Sequence, residues 1–279
     1  IHPYSRIGLE RVRELAAQVK PFFKETGITL KGAKDANHWR ITPLGVLKRA
    51  WLTMDEYATI PSDGKVPWKQ VALLNIDGFL DFHPSYIAGG LSEMGVETVV
   101  RTISLPELER LRHNPTEMRS TNIAKTLTGD LVRVLAARIN EHAKDVDAIL
   151  MPAVVGLDGC SDVVRLKEYV DRPLHFLSTL PPSVPGIRLQ LMLKRYFQKL
   201  GGTYMLGDSV TGGEFEDGRL KAVTTRNHGK FRFEADNFIL ASGSLFSKGL
   251  VSDMDAVREP VFGLDVDFLE CRSQWYDKN

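Results

Sequence analysis

Three features of this 279-residue sequence predict an α/β fold. Short apolar runs alternate with segments of helical apolar spacing through roughly the first 180 residues. Those runs are continuous, as expected of parallel strands covered on both faces. Beyond residue 180 the pattern changes to one helix and then short strands joined by tight turns. The expectation is a Rossmann-like parallel α/β layer followed by an α+β part with antiparallel hairpins, with a boundary near Pro182 that separates residues 1–180 from residues 181–279.

The elements follow in order. Residues 8–26 carry Leu9, Val12, Leu15, Ala16, Val19 and Phe23 at helical spacing, and Gly27 ends them. Short apolar runs come next at Ile28–Leu30 and around Ile41. Val71-Ala72-Leu73-Leu74-Asn75-Ile76 reads as a buried strand broken by Asp77-Gly78, with a helix from about Pro84 to Met94 and a strand over Val96–Ile103. Residues 114–142 read as helical, opened by Asn114 as N-cap, Pro115 at the first position and Glu117 at the third. Ala148–Pro152 is a strand, Val163–Val170 a helix and Leu174–Leu177 a strand.

Pro182-Ser183-Val184-Pro185-Gly186 is a stiff loop feeding a helix at 187–200, striped by Leu189, Leu193, Tyr196, Phe197 and Leu200 and closed by Gly201-Gly202. Asp217-Gly218 between Thr211–Glu216 and Leu220–Thr225 is a hairpin signal. Asn227-His228-Gly229 makes a second turn before Phe231–Phe233. Phe238-Ile239-Leu240-Ala241 reads as the last buried strand and runs into Ser242-Gly243-Ser244.

Composition excludes several classes. With 36 basic against 35 acidic residues the formal charge is +1, which gives no support for a nucleic-acid surface. At 43% hydrophobic and 25% charged residues the chain is of ordinary globular composition. No apolar run approaches the roughly 20 residues that span a bilayer. Cys160 and Cys271 lie far apart, without CxxC spacing, and the seven histidines form no HxxxH or HExxH pair, so no metal site is expected. The sequence opens at Ile1 without a signal-peptide pattern and closes at Trp275-Tyr276-Asp277-Lys278-Asn279; it reads as a piece of something longer.

The candidate chemistry is sparse. No GxGxxG occurs, and the glycine spacing of Gly213 to Gly218 falls on a hairpin and lacks Lys-Ser/Thr. Ser242, Gly243 and Ser244 follow an apolar run; small residues there let a ligand approach backbone N–H groups, although on the tripeptide alone an ordinary strand-end turn is the favoured reading. Arg188 near a helix start suits a carboxylate or phosphate, as does Arg119, and each also reads as a solvated charge. His228 in its turn is a candidate general acid or base, or a plain turn residue. His83 with Asp81 nearby has the same two readings, an oriented pair or a helix-start histidine.

Taken together, several blocks resemble the B-subunit family of anaerobic glycerol-3-phosphate dehydrogenases. They are Thr179-Leu180-Pro181-Pro182-Ser183-Val184-Pro185-Gly186-Ile187-Arg188-Leu189, His113-Asn114-Pro115-Thr116-Glu117-Met118-Arg119, Thr225-Arg226-Asn227-His228, Leu240-Ala241-Ser242-Gly243-Ser244-Leu245-Phe246-Ser247 and Arg258-Glu259-Pro260-Val261-Phe262-Gly263-Leu264-Asp265-Val266. His2-Pro3-Tyr4-Ser5-Arg6 and Thr42-Pro43-Leu44-Gly45 fit as well. The resemblance implies a two-domain flavin oxidoreductase, with residues 1–180 as an inserted substrate- or partner-type domain and 181–279 as an incomplete part of the flavin domain. It implies FMN, with FAD as the alternative, and loss of the cofactor from this stretch, which has neither the family's Gly-rich loop nor its Gly-rich closing segment. It also implies oxidation of sn-glycerol 3-phosphate to dihydroxyacetone phosphate with electrons passed to quinone, a flavoprotein A subunit, an iron–sulfur C subunit, and a peripheral place on the cytoplasmic face of the inner membrane. On this reading Ser242, Gly243, Ser244 and Arg188 meet the cofactor, Arg119 meets a phosphate and His228 carries a proton.

Overall fold

The structure is a computed structural model, and it describes residues 3–271, 273 and 274. His2 of the resemblance and the closing Trp275–Asn279 lie outside the described residues. Two compact units divide at Gly202–Thr203.

The first unit opens with helices α1 (Pro3–Ile7) and α2 (Leu9–Glu25). The stripe on α2 forms the predicted helix, yet none of its residues is fully buried: Leu9 is 60% and Leu15 41% exposed. Short antiparallel pieces follow: β1 (Leu30–Lys31) with β4 (Thr53–Met54), and β2 (His38–Ile41) between β3 (Leu47–Ala50) and β5 (Thr59–Ile60).

The core is a four-stranded parallel sheet made of β6 (Gln70–Ile76), β7 (Glu97–Ile103), β8 (Ala148–Pro152) and β9 (Leu174–Leu177). Its order is β7-β6-β8-β9. Val71, Ala72, Leu73, Leu74 and Ile76 of β6 and all five residues of β8 are buried, which explains their unbroken apolar runs. Asp147 seats the start of β6: its Oδ2 accepts the N–H groups of Lys69 at 2.7 Å and Gln70 at 3.0 Å. Helices α3 (Pro84–Glu93), α4 (Glu109–Arg112), α5 (Ser120–Thr126), α6 (Leu131–His142), α7 (Ser161–Tyr169) and α8 (Val184–Lys199) alternate with or follow the strands.

Two expectations are corrected here. Residues 114–142 form a 3-10 turn at Pro115–Glu117 and then two separate helices, α5 and α6. The cause is Gly129 at φ +59 between them, in a left-handed conformation that breaks helical hydrogen bonding. Helix α8 starts at Val184 instead of residue 187: Ser183 is its N-cap, with Oγ accepting the Gly186 N–H at 3.3 Å, and Pro185 fits the first turn. Because α8 belongs to the first unit, the units part after it and not at Pro182.

The second unit is built on an antiparallel sheet of β10 (Val210–Glu216), β11 (Arg219–Thr225) and β12 (Phe233–Glu234), with a small pair β13 (Val251–Ser252) and β14 (Val257–Arg258). Asp217 and Gly218, both at positive φ, make the predicted two-residue hairpin turn. Phe238–Ala241, expected as a buried strand, forms no strand, and Ile239 is 92% exposed. Its apolar composition is that of a strand, but it joins neither edge of the β10-β11-β12 sheet, so composition alone did not fix the pairing.

Candidate functional site

Asp81 lies in the loop after β6, at the carboxyl end of the parallel sheet, where open α/β sheets bind ligands. Its side chain is buried, and Oδ2 accepts the Ser120 N–H at 3.1 Å and the Ser120 hydroxyl at 3.3 Å. That hydroxyl also lies 3.3 Å from Thr179 Oγ1. Arg119 Nη1 pairs with Asp81 Oδ1, while about half of the Arg119 side chain stays exposed. A buried carboxylate thus orients a guanidinium that still faces solvent, an arrangement able to receive an oxyanion. Asp81 is committed to Arg119 and Ser120, so His83 does not form the oriented pair with it; the imidazole stands edge-on to Tyr86 at 6.2 Å.

Arg188 sits differently from the surface anion site expected of it. It lies in the second turn of α8 and is buried, at 1% exposure. Its Nη2 pairs with buried Glu56, and its Nη1 donates to the carbonyls of Gly156 at 2.8 Å and Val155 at 3.2 Å. Gly156 is required there: it sits at φ +74, and a Cβ would fall 2.9 Å from Arg188 Nη1. The guanidinium is spent on the protein's own acceptors. No sequence pattern marked Glu56 as its partner.

In the second unit, His228 Nδ1 lies 2.8 Å from Asp208 Oδ2 and 2.9 Å from Thr225 Oγ1. Asp208 Oδ1 accepts the N–H groups of Ser209 at 2.8 Å and Asn227 at 3.0 Å. The Thr225 hydroxyl above all, with these amides and the imidazole, holds the Asp208 carboxyl below the ordinary carboxylate range, against the opposing effect of desolvation. Nδ1 is the ring nitrogen that these two groups engage, which fixes the orientation of the imidazole. Sequence reasoning missed Asp208; Gly207-Asp208-Ser209 carries only a turn signal.

Ser242, Gly243 and Ser244 form a tight, exposed loop. Ser244 N–H donates to Ser247 Oγ at 2.9 Å, and Ser247 Oγ donates back to Ser242 O at 2.9 Å. Gly243 sits at φ +88, where a Cβ would meet Ser247 Oγ at 2.2 Å. Among the described residues, no group of three His, Cys, Asp or Glu side chains is placed to hold a metal ion, and no helix is long and apolar enough to cross a membrane.

The family model for an FAD binding domain matches residues 1–279. The chain belongs to the FAD binding domain family. Its similarity to individual proteins is also chain-wide. The B subunit of anaerobic glycerol-3-phosphate dehydrogenase from Yersinia pseudotuberculosis serotype I (strain IP32953) is 38% identical over 282 residues, covering 100% of this chain and 66% of that relative. The protein of the same name from Yersinia enterocolitica is 40% identical over 280 residues, with the same coverage. The one from Pectobacterium carotovorum subsp. carotovorum (strain PC1) is 40% identical over 275 residues, covering 98% and 65%. The chain therefore spans just under two thirds of the length of these relatives. No solved structure matches.

The stretch around Ser242 fits what an FAD binding domain family member needs. A flavin ring presents apolar faces and a polar edge, and the protein's part is to bind and orient it. Ile239 and Phe246 expose apolar surface on either side of the loop, at 92% and 102%. Within the loop the Ser244 N–H is taken by Ser247 Oγ.

Proposed function

We propose that this chain belongs to a flavin-dependent B subunit of anaerobic glycerol-3-phosphate dehydrogenase. The observation that carries the reading is the chain-wide similarity, at 38–40% identity, to relatives of that name, together with the FAD binding domain match across all 279 residues. The whole subunit would take part in oxidising sn-glycerol 3-phosphate to dihydroxyacetone phosphate, removing two electrons and two protons from the secondary alcohol and passing the electrons to quinone. It would do so with a flavoprotein A subunit and an iron–sulfur C subunit, peripherally on the cytoplasmic face of the inner membrane.

A bound flavin supplies the electron-accepting chemistry. The family's description favours FAD, and FMN is the alternative. Residues after α8 serve the flavin domain, with Ser242 and Gly243 donating backbone N–H groups to the cofactor and Ser244 holding the loop through Ser247. The α/β unit before them serves substrate or partner. Arg119, oriented by Asp81, binds the phosphate of the substrate. His228, oriented by Asp208, holds or moves a proton at Nε2. Arg188 is left out of cofactor contact, because its guanidinium is buried against Glu56.

The test is an absorbance spectrum of this chain and of the full-length subunit after incubation with excess FAD or FMN and desalting, followed by glycerol 3-phosphate turnover with a quinone analogue by the assembled complex. Flavin retained by the full-length subunit, and turnover lost on Arg119→Ala, are expected. A full-length subunit that retains neither flavin overturns the proposal. One observation favours a second reading, a docking role: a shallow apolar cavity of about 390 Å³ on the first unit, lined by Ile7, Val12, Leu15, Val19 and Trp51 among others. Full turnover by a complex whose B subunit has lost its flavin would select that reading.

A further inference from the structure

The β2–β3 hairpin carries a charge arrangement that neither the flavin nor the Arg119 site uses. Its register places Arg40 directly opposite Lys48, and β5 places Thr59 opposite Arg40 on the other side. Directly opposed residues share one face of the sheet with Cβ atoms about 5 Å apart, and like charges there are destabilising. The pair borders a pocket of about 280 Å³ that is lined also by Thr42, Arg49 and Ser178, with no carboxylate among its lining residues.

The pocket is preorganised. The Arg40 guanidinium lies 4.3 Å over the Tyr57 ring, and its Nη2 donates to Ser178 Oγ at 2.7 Å. Ser178 directly follows β9, at the carboxyl end of the parallel sheet. Arg49 contributes to the wall while its own guanidinium stacks 4.7 Å over Trp39. The Thr42-Pro43-Leu44-Gly45 turn closes one side through the Thr42 N–H to Val46 O bond at 2.9 Å. That turn is pressed on α3 so closely that a Cβ on Gly90 would fall 2.2 Å from Gly45 O. Stacking and close packing have fixed the walls before any ligand arrives, which lowers the entropy cost of binding.

We propose that this pocket binds an oxyanion of the phosphate class, as free phosphate or as a small phosphomonoester. Arg40 and Lys48 share its charge, and the hydroxyls of Ser178 and Thr42 complete the donor set. The anion supplies a counter-charge to the opposed pair, for which no ion pair is formed among the described residues. This site is separate from Arg119 and does not depend on the flavin reading.

The test is calorimetric titration of inorganic phosphate into the 279-residue chain, repeated with sn-glycerol 3-phosphate and with glycerol. Saturable phosphate binding that persists in Arg119→Ala is expected, with none for glycerol. Tighter binding of the ester than of phosphate would make a phosphomonoester the ligand; equal or weaker binding would make it the free ion; either supports the site. Lys48 is exposed, so Lys48→Met keeps the fold, and its melting temperature without phosphate should equal or exceed that of the unsubstituted chain. It should weaken phosphate about tenfold, the usual effect of losing one charge-assisted hydrogen bond. No saturable binding, unchanged binding by K48M, or displacement by equimolar chloride would each overturn the proposal. Flavin retention, read on the same samples, tests the flavin reading separately.

Discussion

Arg188 shows what burial does to a charge. With Glu56 also buried, the two ions must neutralise each other, and the carbonyls of Val155 and Gly156 accept from Nη1. Removing one partner leaves the other uncompensated. Glu56→Gln or Arg188→Met should cost about 3–5 kcal/mol in urea denaturation, and the paired change E56L/R188M should cost less than either. A double variant no better than the worse single one would contradict that account. Nothing in the sequence joins position 56 to position 188, so the pair is legible only in the long-range packing. Asp81 and Arg119 are also distant in sequence, and there the residue types mark both positions without marking that they meet. His175 gives a pH prediction at the same scale. Burial, with Lys31 and Lys167 adding to it, pushes its imidazole down to about 4 from the ordinary 6.5. The unfolded chain therefore takes up the proton first as pH falls. The His175 contribution to stability is intact above about 6.5 and is lost as pH drops toward about 4. Denaturation midpoints of His175→Asn should fall less steeply across that window than those of the unsubstituted chain. Parallel slopes would rule this residue out as the source.

At the scale of elements, two adjacent glycines of α3 make a paired test. Gly89 has open space where a Cβ would stand, whereas a Cβ on Gly90 would fall 2.2 Å from the backbone oxygen of Gly45. Gly89→Ala should stabilise the protein by roughly 0.5–1 kcal/mol through helix propensity. Gly90→Ala should destabilise it by about 1–3 kcal/mol, because a backbone cannot yield as a side chain does. Thermal melts of the two variants should move in opposite directions. The same logic explains which elements the sequence reveals. The runs at β6 and β8 are readable because both faces are covered, so nearly every residue is apolar. The Asp217-Gly218 turn is readable because two successive positive φ values restrict residue choice. The division between α5 and α6 is hidden because a single glycine such as Gly129 can also sit inside one long helical pattern. The opposed Arg40 and Lys48 are hidden for another reason: cross-strand register does not show in a linear sequence.

The two units differ in how much core they own. In residues 203–279, Ala222 and Val257 are the buried apolar side chains among the described residues, while the first unit buries most of a four-stranded sheet and its flanking helices. A unit with so small a core opens locally at low free energy, and its amides exchange accordingly. Hydrogen exchange of this chain should therefore be slow in β6 and β8 and fast in β10–β12 and the Ser242–Ser247 loop. Proposed as it is for cofactor contact, that loop should respond to a flavin more than the sheet does, since a ligand that binds only the closed form stabilises it in proportion to RT ln(1 + [L]/Kd). At 100 times Kd this is about 2.7 kcal/mol, or roughly a hundredfold slower exchange. The effect needs the flavin to bind this stretch without the rest of the subunit, so the full-length protein is the better sample and FAD the first ligand to add. Protection concentrated over residues 238–250, with β6 and β8 unchanged, would support Ser242 and Gly243 as cofactor contacts. FAD protection confined to the loops at the carboxyl end of the parallel sheet would move the cofactor to the Asp81–Arg119 cluster and leave the Ser242 loop a plain turn.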